Sequence, residues 1–356
     1  MAFDRPVWRQ KNITLFMVIG IIVVCVGVCV IVFVGYWLNW PWTGFNASVG
    51  PNVLQYQPTK TLWDWMQLLI VPLVLAIGAF LFNFTASKNE QTIALQRDLT
   101  EHEVALDNQR ETLLQAYLDR MSELLLLHHL RHSDPHSEVR YIARARTLTV
   151  LPRLDASRKG SLIKFLYESS LIDVINLSGA NLSGANLSEA RLNRANLNEA
   201  NLRGVMLNLA DLSEANLSGA NLSEADLSLS NLSDANLSGA ILRLANLREA
   251  TLNRVNLNWA DLSESWLSRA DLSEASLHNT NLHKTHMEKA ILHNANLRRA
   301  NLREADLREA DFYQADLTEV DLRGASFSGA HLSQVNLQGA SFSPELIEQA
   351  MEQEDD

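Results

Sequence analysis

The sequence predicts a mixed fold: two membrane-spanning helices, then a helical segment, then a β-solenoid that fills the second half of the 356-residue chain. Three observations support this order. Two long apolar runs occupy the first quarter, and a stretch rich in helix-forming residues, without Gly or Pro, follows them. A large apolar residue then recurs at every fifth position, which indicates a repeat architecture.

The changes in pattern divide the chain into seven predicted segments. These are a cytoplasmic N-terminus (1–12), transmembrane helix 1 (13–38), an exoplasmic loop (39–61), transmembrane helix 2 (62–84), a cytoplasmic helical segment that ends in a solenoid cap (85–175), the β-helical repeats (176–343), and a C-terminal capping helix with an acidic tail (344–356).

The predicted hairpin rests on length and apolarity. Residues 13–38 contain no charged side chain, and residues 62–84 contain only Asp64, close to one end. About 20 apolar residues suffice to cross a hydrocarbon core roughly 30 Å thick. Basic residues precede the first run and follow the second, whereas the loop holds Lys60 alone. The positive-inside rule then predicts an integral membrane protein with both termini and the repeats in the cytoplasm, and with the lipid bilayer as a partner.

The helical segment offers two interpretations. Leu99, Leu106 and Leu113 recur every seven residues, as in a coiled coil that joins protomers. The same residues would equally serve to pack α-helices within one chain, and we expect two further helices from about Ser137 and Ser157. A homo-oligomer formed through residues 13–132 is the corresponding partner prediction.

Basic side chains concentrate in these two later helices. They form a candidate lipid-binding or partner-binding face, and the alternative is pairing with acidic residues of the preceding helix. The residues concerned are Arg140, Arg144, Arg146, Arg153, Arg158 and Lys159.

The repeat begins at Leu177 and places a large apolar residue at every fifth position, 34 times, as far as Phe342. A small residue, usually Ala, stands two positions before each. A period of five fits neither a helix nor a continuous strand, so each unit must combine a short extended piece with a bend. Residues two apart in the extended piece point the same way, which puts both apolar positions inside.

The motif A(N/D)LSx, as in ANLSGANLSEA, resembles the pentapeptide-repeat family. The resemblance covers residues 176–343 and implies a right-handed quadrilateral β-helix in which four repeats complete one coil. A hairpin and helix ahead of such repeats is also similar to membrane members of the family in photosynthetic bacteria. That similarity implies a bacterial plasma membrane, with the thylakoid as the alternative.

Four repeats per coil would stack Leu209 on Leu229, place Met206 beside them, and put Leu244 on an adjacent face. This apolar stripe is the predicted protein-contact site. We find no phosphate-binding loop, nucleophile elbow, zinc motif or paired cysteine motif, so we expect no enzyme activity, no cofactor and no metal.

The predicted function is a non-catalytic, membrane-anchored scaffold for an unknown protein partner. Resemblance to soluble family members implies one alternative, a DNA mimic that inhibits an enzyme such as a topoisomerase, and the hairpin implies another, an accessory subunit of a transport or sensing complex. Residues 176–343 interleave 20 acidic with 14 basic residues. Such mixing disfavours both mimicry and a nucleic-acid partner.

Overall fold

The computed structural model describes residues 62–342, together with Gly27, Val30, residues 33–35, Trp37 and Leu38. For residues 62–69 and Val71 it describes the backbone alone. The predicted N-terminal segment, exoplasmic loop and C-terminal capping helix lie outside the described residues. The chain divides into two compact units, Met1–Glu101 and His102–Asp356.

Helix α1 runs from Leu62 to Leu127, a length of 66 residues that includes Pro72. It has no break near residue 84, where the sequence predicted the end of a transmembrane helix. The reason is local: Glu, Gln, Lys and Arg form helix about as well as the preceding Leu, so nothing in the sequence stops the helix where its apolar part ends.

A second finding contradicts the prediction of a transmembrane hairpin. Within the part of the chain that the structure describes, no helix combines the length and apolarity needed to cross a membrane. This contradicts the predicted fold class in its membrane part and the predicted localisation as an integral membrane protein with cytoplasmic termini. Residues 62–84 are instead the first third of the longer α1, and residues 13–38 lie outside the described residues except at the isolated positions given above. The predicted lipid bilayer partner loses its support as well.

Helices α2 (Glu138–Val150) and α3 (Ala156–Glu168) follow α1. Short 3₁₀ turns, Leu130–His132 and Leu151–Arg153, precede them. The Asp155 side chain caps α3 by accepting a hydrogen bond from the Arg158 N–H at 2.9 Å. Both helices therefore begin within two residues of the predicted positions.

The C-terminal part of α1 packs inside the second unit. Tyr117, Met121 and Leu124 are buried there. The Tyr117 hydroxyl lies 2.9 Å from the Thr147 hydroxyl of α2, and burial raises the pKa of this tyrosine. For residues 114–124 of α1, these contacts favour the interpretation in which the helix packs within one chain.

The repeats form a solenoid with 20 residues per coil. Parallel bridges join residues 20 positions apart, from Asn181↔Asn201 through to Asp321↔Ser341. Every bridge is isolated, and the described repeats contain no continuous strand. The reason is that each extended piece ends in a turn after two or three residues. The expectation of a β-helix is corrected to this extent: bridges of single residues replace strands.

The interior of the solenoid holds the apolar positions of the repeat. Its leucines, such as Leu217 and Leu247, are wholly buried together with the small residues beside them. The Leu217 N–H donates to the Asn236 carbonyl of the next coil at 2.7 Å. Where Ser230 replaces Ala, its hydroxyl donates to the Leu227 carbonyl at 2.6 Å, so the buried polar group is satisfied.

Candidate protein-interaction surface

Each repeat ends in a tight turn at a corner of the coil. One example is closed by the Ala220 N–H, which donates to the Leu217 carbonyl at 3.0 Å. The third residue of every such turn from residue 177 to 340 has a positive φ, and these corner positions comprise eight glycines and 25 other residues. Left-handed backbone costs an ordinary L-residue roughly 1 kcal/mol, and glycine and asparagine tolerate it best.

The Asn and Asp positions of the motif support these turns. The Asn216 side-chain oxygen accepts a hydrogen bond from the Ser218 N–H at 3.1 Å, and Asp226 does the same for Ser228. Such a bond mimics a backbone turn. The frequent Asn and Asp residues therefore have a structural role and do not by themselves indicate a binding site.

The predicted contact stripe lies on the surface. The Leu209 N–H donates to the Ser228 carbonyl at 3.0 Å, which stacks Leu209 beneath Leu229 on the next coil. Both side chains are 52% exposed, and Met206, in the same repeat as Leu209, is 41% exposed. Leu244 is 40% exposed, but it lies at a different corner of the coil from Leu209 and Leu229. The structure thus brings three of the four residues together.

The leucines of the stripe occupy the positions that suit them least. Leu209, Leu229 and Leu244 have φ values of 60°, 58° and 56°. Leucine gains nothing at a left-handed corner that glycine or asparagine would not provide, and its side chain remains exposed to solvent. The hydrogen bonds and the corner geometry described above do not require leucine at these positions.

Part of the predicted basic face caps the first coil of the solenoid. Arg144 donates to the carbonyls of Asn176 and Ser178, each at 3.0 Å. Lys159 is buried, and its Nζ donates to the Ser183 carbonyl at 2.7 Å. Burial lowers the pKa of Lys159. These side chains serve carbonyls that have no preceding coil to bond with.

The other basic residues are scattered. Arg158 forms ion pairs with Asp107 at 2.7 Å and Glu111 at 2.9 Å, both on α1. Arg140 donates to the Ser133 carbonyl at 2.6 Å, one guanidinium nitrogen of Arg146 is buried without a hydrogen-bond partner among the described residues, and Arg153 is exposed. The six residues therefore do not form one free surface.

A model of pentapeptide repeats matches the chain in eight copies between residues 175 and 343. Residues 175–343 belong to the pentapeptide-repeat family. The prediction from the A(N/D)LSx motif is thereby confirmed. No curated protein sequence matches the chain significantly.

Solved pentapeptide-repeat structures resemble parts of the chain. HetL, a protein involved in heterocyst differentiation regulation from the cyanobacterium Nostoc sp. strain PCC 7120, is 35% identical over 46% of this chain and 84% of its own, with a TM-score of 0.25. QnrB1, a plasmid-mediated fluoroquinolone resistance protein, is 18% identical over 50% of this chain and 88% of its own, with a TM-score of 0.38. A pentapeptide-repeat protein of the Arabidopsis thaliana thylakoid lumen is 33% identical over 28% of this chain and 66% of its own, with a TM-score of 0.25. These low TM-scores carry no argument about what the chain binds.

Two residues that the sequence reasoning did not assign to the contact site extend the same face of the pentapeptide-repeat solenoid. The bridges Met206↔Asp226, Asp226↔Asn246 and Asn246↔Trp266 place Trp266 in the column of Met206. The Arg248 guanidinium lies 5.3 Å from the centre of the Trp266 ring. Counting 20 residues from Met206 would have found this relationship. Trp266 is half-buried beneath this contact.

Trp259 lies on the opposite face and is 68% exposed, with its ring edge-on to His278 at 6.1 Å. In coils of 20 residues, the four histidines of the central repeats fall on four successive faces; they are His278, His283, His286 and His293. Among the described residues, no group of three His, Cys, Asp or Glu side chains is arranged to hold a metal ion.

Proposed function

We propose that the chain is a non-catalytic scaffold that holds a protein partner on the solenoid face formed by Met206, Leu209 and Leu229. One observation carries this proposal: two half-exposed leucines are stacked on adjacent coils at left-handed corners, where the fold gains nothing from them. Arg248 and Trp266 lie on the same face, and arginine and tryptophan are enriched among the residues that contribute most to protein interfaces.

A specific interface buries about 800 Å² on each partner, more than three side chains can supply. Polar residues of neighbouring coils on the same face, such as Asn208 and Asn246, would supply the remaining area.

The electrostatics disfavour DNA mimicry. Many carboxylates of the solenoid pair with an arginine one coil away, as in Arg194–Glu214 at 2.9 Å and Arg299–Glu319 at 2.6 Å. Paired charges do not build the sustained negative field of a DNA duplex. The alternative of a transport or sensing subunit rested on the membrane hairpin alone and is set aside with it.

The test is a double variant, Leu209→Asn/Leu229→Asn, because asparagine suits the left-handed corner and should preserve the fold. Partners captured by the full-length protein are identified by mass spectrometry, purified and titrated against both forms. We expect the double variant to bind its purified partner at least about tenfold more weakly, the loss expected for truncating interface residues of central importance.

The matched control is Glu199→Asn/Glu274→Asn. It changes two other corner residues that form no ion pair with described residues and lie on other faces. Partner affinity that survives the leucine changes, or falls equally in the control, would refute the proposed surface.

We further propose that α1 brings copies of the chain together. Leu99 and Leu106, one heptad apart, are 59% and 37% exposed, in contrast to the buried Tyr117 and Met121 further along the helix. Light scattering should give an oligomeric mass for the full chain and a lower mass for Leu99→Glu/Leu106→Glu. A monomeric full-length protein would end this part of the proposal.

A further inference from the structure

The apolar stripe lies inside a frame of four carboxylates. At the corner column, Glu189 precedes Leu209 by one coil and Glu249 follows Leu229 by one coil; the Leu229 N–H donates to the Arg248 carbonyl beside Glu249. On one side Asp226 bridges to Met206. On the other side Asp211 follows Leu209 by two residues. Carboxylates therefore flank the two leucines on four sides, with Arg191 one coil before Asp211 and Arg248 next to Glu249.

Two of these carboxylates, Asp211 and Asp226, accept hydrogen bonds from the serine two residues later, as the turns of the repeat require. None of the four forms an ion pair with another described residue, although many carboxylates elsewhere on the solenoid do. Arg194 pairs with Glu214 and Arg254 pairs with Asp234 at 2.7 Å. Arg191, which donates to the neutral Tyr167 hydroxyl at 2.7 Å, and Arg248, which lies over the Trp266 ring, keep their positive charge beside the frame. Four carboxylates against two guanidinium groups leave the frame with a net negative charge.

We infer that the occupant of this surface is a cationic amphipathic helix of a protein partner. The inference rests on the proposed function and specifies its partner. Apolar side chains of the helix would cover Leu209 and Leu229, and flanking Lys or Arg residues would face the four carboxylates. Complementary charge of this kind fixes orientation and excludes partners with acidic flanks.

The spacing of the coils favours a helix. Neighbouring coils are separated by about 4.8 Å, as in any β-ladder. Successive turns of an α-helix are about 5.4 Å apart, so side chains at i and i+4 can meet residues on adjacent coils. A helix that lies along the solenoid axis would therefore place one apolar side chain over each leucine.

The experiment titrates the full-length protein with three labelled peptides of about 18 residues, long enough to form a helix on the surface. One has an apolar stripe flanked by Lys, the second has the same stripe flanked by Glu, and the third is the Lys peptide with its order scrambled. Fluorescence anisotropy should show the first binding at least about tenfold more tightly than either other peptide, with affinity falling as salt screens the charges.

A quadruple variant tests the frame itself: Glu189→Gln, Asp211→Asn, Asp226→Asn and Glu249→Gln. It should fold, because Asn246 stands one coil from Asp226 in the same column and Asn231 stands one coil from Asp211. The matched control neutralises four unpaired carboxylates elsewhere, in Glu199→Gln, Asp261→Asn, Asp271→Asn and Glu274→Gln. The preference for Lys flanks should disappear in the first variant and persist in the control.

Three outcomes would overturn the inference: equal binding of the Lys and Glu peptides, equal binding of the scrambled peptide, or a preference that persists in the frame variant. The two proposals are separable. If Leu209→Asn/Leu229→Asn abolishes peptide binding but the frame variant does not, the apolar surface stands and the cationic partner is wrong. If the leucine variant binds the Lys peptide normally, the surface itself is wrong.

Discussion

The interior and the corners of the solenoid place opposite demands on the sequence. Interior positions hold leucine and alanine almost throughout, and all are buried in the central coils. Corner positions hold Gly239, Glu249, Arg254 and Trp259 at φ values of 55° to 66°. The packed interior and the hydrogen bonds between coils fix the backbone, so the corner backbone stays the same whichever side chain it carries. Corner residues are therefore free to serve other roles.

The largest expected effect comes from breaking the interior. Leu247 is wholly buried in the middle of the solenoid, and Leu247→Ala should lower the free energy of unfolding by about 2–5 kcal/mol, because it leaves a cavity between stacked coils. Leu337→Ala should cost clearly less, since Leu337 is only half-buried. Urea unfolding followed by circular dichroism measures both. Equal losses would show that position along the solenoid does not matter.

Gly160 of α3 tests the cap. A Cβ at this position would collide with the Asn186 carbonyl oxygen of the first coil. Gly160→Ala should therefore destabilise the protein by about 1–3 kcal/mol, although alanine is the better helix former. The comparison is Gly239→Ala at an open corner, where nothing lies within 4 Å and only the left-handed backbone, roughly 1 kcal/mol, opposes the change. A stabilised Gly160→Ala protein would show that the cap does not pack on the first coil.

Substitution of the corner leucines should not lower the stability of the protein, in contrast to substitution of the interior leucines. Leu209→Asn/Leu229→Asn should leave stability unchanged or raise it by up to about 1 kcal/mol, because asparagine adopts the left-handed region more readily than leucine. Thermal unfolding of the double variant and the parent measures the difference. A large loss of stability would mean that these leucines belong to the core.

Lowering the pH should destabilise the contact between α1 and α3, and we expect a smaller effect than from the substitutions above. Hydrogen bonding from Arg158 lowers the pKa of Asp107. For Asp155, burial opposes ionisation, but hydrogen bonds from Arg158 outweigh it and lower its pKa too. Carboxyl groups with lowered pKa values stabilise the fold at neutral pH, and that contribution disappears as the pH falls below about 4. Arg158→Gln should reduce the acid-dependent part of helix loss followed by circular dichroism; an unchanged acid profile would exclude this cluster.

The helical part shows where sequence reasoning went wrong. Apolarity in residues 62–84 predicted a transmembrane helix with its own end, whereas α1 continues to Leu127. The basic residues were grouped by composition as one face. Arg144, Arg158 and Lys159 instead have separate partners, some more than 30 residues away in the sequence, and no local pattern encodes such contacts.

The sequence by itself determined the repeat and its consequences. A period of five with one large and one small apolar residue defines the inside of the coil, and four repeats per coil then fix which residues stack, including Leu209 on Leu229. Tertiary structure alone decided how the first coil is closed, why Gly160 must lack a side chain, and which carboxylates stay unpaired around the stripe. The physical reason is range: periodic patterns report neighbours along the chain, whereas capping and ion pairing depend on groups that only the folded chain brings together.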